Sequence, residues 1–182
     1  MDNQQKDDFK PKIETFFKRI EDYLPFLKEY HFVIETTNTF PHSSGIASSA
    51  SGMAALAMNL MSLEKALNPE MTEAYFYQKA SLLARLGSGS ACRSVKGELV
   101  VWGNQANIPG SSDLFGVEFP TKIHDNFNNY QDTILLVDKG EKSVSSTAGH
   151  NLMNGHPYAK TRFEHAHQNM SELLAYLRSG DV

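Results

Sequence analysis

The chain has 182 residues, 41% apolar and 21% charged, with a formal net charge of −4. That length fits one domain or one domain plus part of another, and the acidic balance gives no broad footprint for nucleic acid or a membrane surface, so an anionic ligand would need a local site. Cys92 is the one cysteine, which precludes an intrachain disulfide and points to a reducing, cytoplasmic setting; "MDNQQKDDFKPK" lacks the apolar core of a secretory signal, and no run reaches the roughly 18 apolar residues a membrane span needs.

From Asp8 to about Lys28, Phe9, Ile13, Phe16, Phe17, Ile20, Leu24 and Leu27 recur at helical spacing. Pro11 suits a first turn, and Pro25 bends or ends the helix. "HFVIETTNTF" follows, and its β-branched and aromatic residues predict a strand. The segment from Phe40 to Leu60, "FPHSSGIASSASGMAALAMNL", sets Ser43, Ser44, Ser48, Ser49 and Ser51 around Gly45 and Gly52, then enters a helix predicted from about Ala47 to Leu67. "NPEMT" breaks the chain, and a further helix runs from about Glu73 to Leu86 with Gly87 as its C-cap. "GSGSACRS" is a second small-residue turn, and "GELVVWG" a short strand. Residues 104–120 are loop-rich around "IPGSSD", and "DTILLVDKG" predicts a buried strand. "EKSVSSTAGHNLM" is a third serine-rich segment. From about Pro157 to Arg178, Phe163, Met170, Leu173, Leu174 and Leu177 mark an amphipathic helix closed by Gly180. Helices and strands interleave, so the class is α/β or α+β. The predicted strands are few for a sheet carrying so many helices.

Three loops carry the candidate chemistry. A helix N-terminus exposes unpaired N–H groups and a positive partial charge, glycine admits close approach, and serine adds donors without bulk. "SSGIASSAS" combines these where a strand gives way to a helix, but lacks the lysine and spacing of a Walker-type loop. A serine-capped helix after a polar turn reads the same residues equally well. In "LGSGSACRSVKG", Ser88, Ser90, Arg93, Ser94 and Lys96 surround Gly87 and Gly89, and an Arg fork suits phosphate or carboxylate. The plainer account there is a glycine-closed helix end with a solvated Arg. Cys92 has no flanking His and reads as a small packing residue. "KSVSSTAG" adds Lys142, Ser145, Ser146 and Thr147. His165 and His167 lie two apart on a helix, hence on different faces, and His42, His124, His150 and His156 are scattered in loops; no metal site is expected from them.

The residues resemble a known family. "FPHSSGIASSASGMAAL" resembles the second motif of the GHMP kinase superfamily, the loop that wraps nucleotide phosphates. "RLGSGSACRSVKGELVVWG" is more specific and resembles the diphosphomevalonate decarboxylase family. "KSVSSTAGHNLM" resembles that family's third motif, with His150 where Met is frequent, and Pro41-His42 stands where many members have Pro-Thr. The similarity runs from about residue 30 to the end.

The resemblance implies an α+β (α/β sandwich) fold of the GHMP-kinase type. Residues 1–140 would form an incomplete N-terminal, ribosomal S5 domain 2-like domain without its first strands, and 141–182 the start of the C-terminal domain. It implies ATP-dependent decarboxylation of 5-diphosphomevalonate to isopentenyl diphosphate, with Mg²⁺ accompanying ATP. Ser44, Gly45, Ala47, Ser48 and Ser49 would line the ATP loop. Ser88, Ser90 and Ser146 would hold the substrate diphosphate, and Arg93 would orient the reacting end as the catalytic residue; a homodimer is the family's common state.

The family's N-terminal Lys-Tyr-Trp motif has no counterpart before Phe32, and its "D-A-G-P-N"-like aspartate segment none before "RSGDV". The chain therefore reads as the middle of a longer enzyme. A related kinase acting on mevalonate or a derivative, and a non-catalytic phosphate-binding or interaction module, are the alternatives.

Overall fold

A computed structural model describes residues 9–40, 46–135 and 146–181, with the backbone alone for 146 and 147. It divides into two compact units: Met1–Thr37, Ser49–Gly103 and Ser112–Glu118 form one, and Asn38–Ser48, Asn104–Ser111 and Phe119–Val182 the other.

The first unit is helical, with one small hairpin. Helix α1 (Lys10–Ile20) has Pro11 in its first turn and Lys18 and Arg19 in its last, where cations complement the helix dipole. It buries Phe16 and Ile20, stops after Ile20, and the chain resumes as a 3₁₀ turn at Pro25–Lys28. The continuous helix expected to Lys28 is thus two pieces, because Pro25 cannot donate to the preceding turn. Helix α2 (Ser48–Leu67) matches the predicted span, and α3 (Glu73–Gly87) starts on a Thr72 hydroxyl that accepts from the Tyr75 N–H at 3.2 Å.

Helices α2 and α3 are antiparallel. Lys79 pairs with Glu64 at 2.5 Å and Lys65 with Glu73 near the connection, while Met53 lies against Gly87 at the far end. Ala50, Ala54 and Ala57 on α2 and Ala80 and Ala84 on α3 are all buried. Such small faces let Met53, Leu60, Met61, Phe76 and Leu83 fill one core with Phe16, Ile20 and Leu24.

Gly87 is not the left-handed cap expected from sequence. It is the last helical residue, and the cap is Ser88 in an extended conformation, its N–H donating to Ala84 O at 2.9 Å. Glycine is needed for space: a Cβ there would stand 2.7 Å from Met53 Sδ and 2.9 Å from Met53 Cγ. Alanine within a helix is normally worth up to about 1 kcal/mol over glycine. Gly87→Ala is instead expected to lose about 1–3 kcal/mol through overpacking. Urea unfolding checks the sign, and a stabilised variant would mean that Met53 swings aside freely.

Strand β1 (Val100–Trp102) pairs antiparallel with β2 (Gly116–Glu118), Val101 opposite Val117. The sequence "GELVVWG" does contain a strand, but β2 lies in a region read as loop. The predicted strand at residues 31–40 is not one, and the described part of that predicted at 132–140 is irregular. Residues 31–40 hold no ladder, with Val33 91% and Ile34 41% exposed. Residues 132–135 are likewise irregular, and 136–140 lie outside the described residues. A strand needs a neighbour for its backbone groups, and β-branched composition cannot supply one. The helices with one small sheet still make the chain an α+β protein.

In the second unit, α4 (Ser146–Asn151) occupies part of the third serine-rich segment, and α5 (Ala159–Ser179) matches the predicted last helix. Gly180 closes α5 in the left-handed region, φ 83°, as expected. A 3₁₀ turn at Asp125–Phe127 is tied to this end: His124 N–H donates to Leu177 O at 2.8 Å and Asn126 Nδ2 to Gly180 O at 2.9 Å. His167 meets Gln105 Nε2 through Nδ1 at 3.1 Å, and His124 Nδ1 accepts from the Asn126 N–H.

Candidate functional site

The glycine–serine segment after α3 folds as a 3₁₀ turn, Gly89–Ser94. The Ser88 carbonyl accepts from the Ala91 N–H at 2.8 Å, and Cys92 Sγ donates to Gly89 O at 3.1 Å. Ala91 and Cys92 point into the core, so the turn is anchored from beneath. Burial pushes the Cys92 thiol pKa up, although Arg93 and Arg85 oppose the shift, so Cys92 stays protonated and packs as expected.

A buried serine carries more of this architecture than the sequence suggested. Ser81 Oγ, on α3, donates to Cys92 O at 2.8 Å and accepts from the Gly116 N–H at 2.9 Å. It links helix, turn and hairpin in one hydroxyl. Gly116 allows that approach, since a Cβ there would be 2.9 Å from Cys92 O and 2.7 Å from Val100 Cγ1. Trp102 backs the other side, its ring edge 3.2 Å from where a Cβ on Gly89 would lie and its Nε1 donating to Asp113 O at 2.9 Å.

On this base the outward groups are left available. Ser88 and Ser90 are half-buried and Arg93 is exposed. Among the described residues no hydrogen bond or ion pair engages the Ser88 or Ser90 hydroxyl or the Arg93 guanidinium. Lys96 differs: it pairs with Glu118 at 3.2 Å and lies 4.7 Å from the centre of the Tyr77 ring. Arg85, which the motif reading passes over, donates through Nε to Leu114 O at 2.7 Å and braces the hairpin approach.

The first serine loop enters α2 through Ala47, the one described non-glycine residue with positive φ, 57°. A left-handed alanine costs about 1–2 kcal/mol, and such strain clusters at ligand sites. Ser48 and Ser49 are the first two residues of α2, both half-buried. Ser49 Oγ accepts from Lys12 Nζ at 2.7 Å, a partner 37 residues away on α1. Because Met53 touches Gly87, the first turns of α2 and the end of α3 share one end of the helical hairpin. Ser49 and the Ser88–Arg93 turn, forty residues apart in sequence, are thereby brought to the same end of the first unit.

The expectations for Ser44 and Gly45 lie outside the described residues, as do those for Lys142 and Ser145. Ser146 opens α4, and the role read for its side chain also lies outside them.

A donor-rich turn with an exposed guanidinium, at the same end of the helical hairpin as Ser49, makes an arrangement suited to a polyanionic small molecule. The chain belongs to the diphosphomevalonate decarboxylase-like N-terminal domain family, whose model matches residues 1–114. That match takes in α1, some thirty residues further toward the N-terminus than the motifs alone reach. It is 34% identical over 175 residues to diphosphomevalonate decarboxylase of Ganoderma lucidum, covering 93% of this chain and 41% of that protein. The enzyme of that name from Saccharomyces cerevisiae is 32% identical over 83% of this chain and 36% of its own length. For Bos taurus the figures are 33% identity, 71% and 29%. The chain thus spans well under half the length of the curated relatives it matches. No solved structure matches it.

Proposed function

We propose that the chain is the nucleotide- and substrate-loop region of an enzyme that decarboxylates 5-diphosphomevalonate to isopentenyl diphosphate at the expense of ATP, in the mevalonate route to isoprenoids. The observation that carries this reading is the 3₁₀ turn Gly89–Ser94, which leaves the side chains of Ser88, Ser90 and Arg93 without a partner among the described residues, above a hydrogen-bonded base, in a member of this family. Ser88 and Ser90 donate to the substrate diphosphate, joined by Ser146 from the third segment. Arg93 holds the carboxylate or phosphate end through its planar fork. Ser44, Gly45, Ala47, Ser48 and Ser49 line the phosphates of ATP at the start of α2.

The reaction moves the γ-phosphoryl group to the tertiary hydroxyl. The C–O bond then breaks, with phosphate leaving on the electron pair, and the C–CO₂ bond electrons form the alkene as carbon dioxide departs. Positioning two anions against fixed donors is the contribution of these residues. Mg²⁺ would accompany ATP, bound chiefly through the substrate phosphates, whose charge it would neutralise.

The fold we assign is GHMP-kinase-like, with residues 1–140 in its N-terminal domain and 141–182 in the C-terminal one. We place the enzyme in the cytoplasm, the setting that its single cysteine points to, as a homodimer.

Thermal unfolding of the 182-residue chain with Mg-ATP, diphosphomevalonate and both tests the reading. A ligand specific to the folded state adds about 2.7 kcal/mol at 100 times its dissociation constant. A shift with each ligand is expected. A cooperative melt that neither ligand moves would refute the assignment of these loops.

A further inference from the structure

Arg85 stands in the last turn of α3, one helical turn before Ser88. It follows Ser81 at the i+4 position, so the two share a face of the helix. On that face Ser81 reaches both the turn, through Cys92 O, and the hairpin, through the Gly116 N–H. Arg85 is flanked by the same two elements, and its Nε donates to Leu114 O at 2.7 Å. That bond takes only the Nε donor and sets the plane of the guanidinium on a half-buried residue. The two terminal NH₂ groups engage none of the described residues. The charges of Arg85 and Arg93 both bear on the Cys92 thiol, which places the two cations about one turn of chain. The ligand read for this turn asks for more than one cation. Serine hydroxyls donate without charge, and a single Arg fork cannot serve a diphosphate at one end of a molecule and a carboxylate at the other.

We propose that Arg85 is a second cation of the substrate site, its terminal NH₂ groups binding the diphosphate together with Ser88 and Ser90, beside Arg93. The proposal rests on the assignment of that turn to diphosphomevalonate. It gives Arg85 two separable tasks, a brace made by Nε and a charge carried by the rest of the fork.

Two substitutions take these tasks apart. The glutamine amide nitrogen falls at the same place along the side chain as Nε of arginine, so Arg85→Gln keeps a donor for Leu114 O and removes the cation. Arg85→Lys keeps the cation and puts a methylene where that donor was. Affinities for diphosphomevalonate and for Mg-ATP, and the melting temperature, are measured on the full 182-residue wild-type chain, these two variants and Arg93→Ala. Arg85→Gln is expected to lose on the order of tenfold or more in diphosphomevalonate affinity, with Mg-ATP affinity and melting temperature close to wild type. Arg85→Lys should melt lower and yet bind diphosphomevalonate more tightly than Arg85→Gln. The reverse order, with Arg85→Gln binding like wild type and Arg85→Lys weakly, would make Arg85 a brace alone and overturn the proposal. Equal losses for both ligands in Arg85→Gln would also overturn it, because a cation for the diphosphate has no reason to affect ATP. Unchanged diphosphomevalonate affinity in Arg85→Gln, with a loss in Arg93→Ala, would overturn the role of Arg85 and leave the turn assignment standing. A folded wild-type chain that binds no diphosphomevalonate would overturn both.

Discussion

Arg93→Ala is expected to weaken diphosphomevalonate binding on the order of 10- to 100-fold while moving the melting temperature by no more than about 2 °C. The two halves of this expectation have separate causes. Arg93 is exposed and holds no described partner, so folding gains little from its guanidinium. In a complex, the same group would supply two parallel charge-assisted hydrogen bonds to a phosphate or carboxylate. Arg93→Lys keeps the charge but loses the fork, so it should recover only part of the affinity. Titration calorimetry with diphosphomevalonate reads the first half, and thermal unfolding without ligand the second. A large drop in melting temperature with unchanged affinity would make Arg93 a structural residue.

Ser81→Ala is expected to cost about 2–4 kcal/mol of stability, because two buried backbone groups lose their partner in one substitution. The Cys92 carbonyl would lose its donor at 2.8 Å, and the Gly116 N–H its acceptor at 2.9 Å. Neither has an easy alternative, since Ser81 is only 3% exposed and Gly116 lies tight against the Cys92 carbonyl. Chemical denaturation gives the magnitude. Hydrogen exchange at the Gly116 amide gives the mechanism, with faster exchange expected in the variant. A loss below about 1 kcal/mol with unchanged Gly116 protection would show that the hydroxyl is dispensable. The turn carrying Ser88, Ser90 and Arg93 stands on this bridge, so ligand affinity should fall with stability here. That correlation separates Ser81 from Arg93.

The helices were legible because their signals are local. Apolar spacing, Pro11 in a first turn and Gly180 past a last one were enough to locate α2, α3 and α5 within a few residues and the start of α1, though not its end at Ile20. The strands were not, since a strand is a relation between two segments: Val33 and Ile34 have strand composition and no ladder, whereas Gly116–Glu118 looked like loop and pairs with β1. The site divides in the same way. The motif residues Ser48, Ser49, Ser88, Ser90 and Arg93 could be named from their sequence neighbours. That Ser49 and the Ser88–Arg93 turn share an end depends on α2 and α3 being antiparallel, which the short "NPEMT" break between them hinted at. Lys12 had no such hint, being 37 residues from Ser49 on a separate helix. Ser81 resembled any small residue on a buried helix face, because its worth lies in two backbone groups that only the folded chain brings to it.

The unladdered apolar segments bear on how this polypeptide behaves in company. Val33, Ile34, Ile134 and Leu135 stand in water on backbone whose N–H and C=O groups are not engaged in a sheet. Strand-prone segments of this kind are templates for any other extended chain, a second molecule of the same sequence included. Crowding should therefore be the first hazard this protein meets, with the onset of clumping set by protein concentration well before heat opens its helical core.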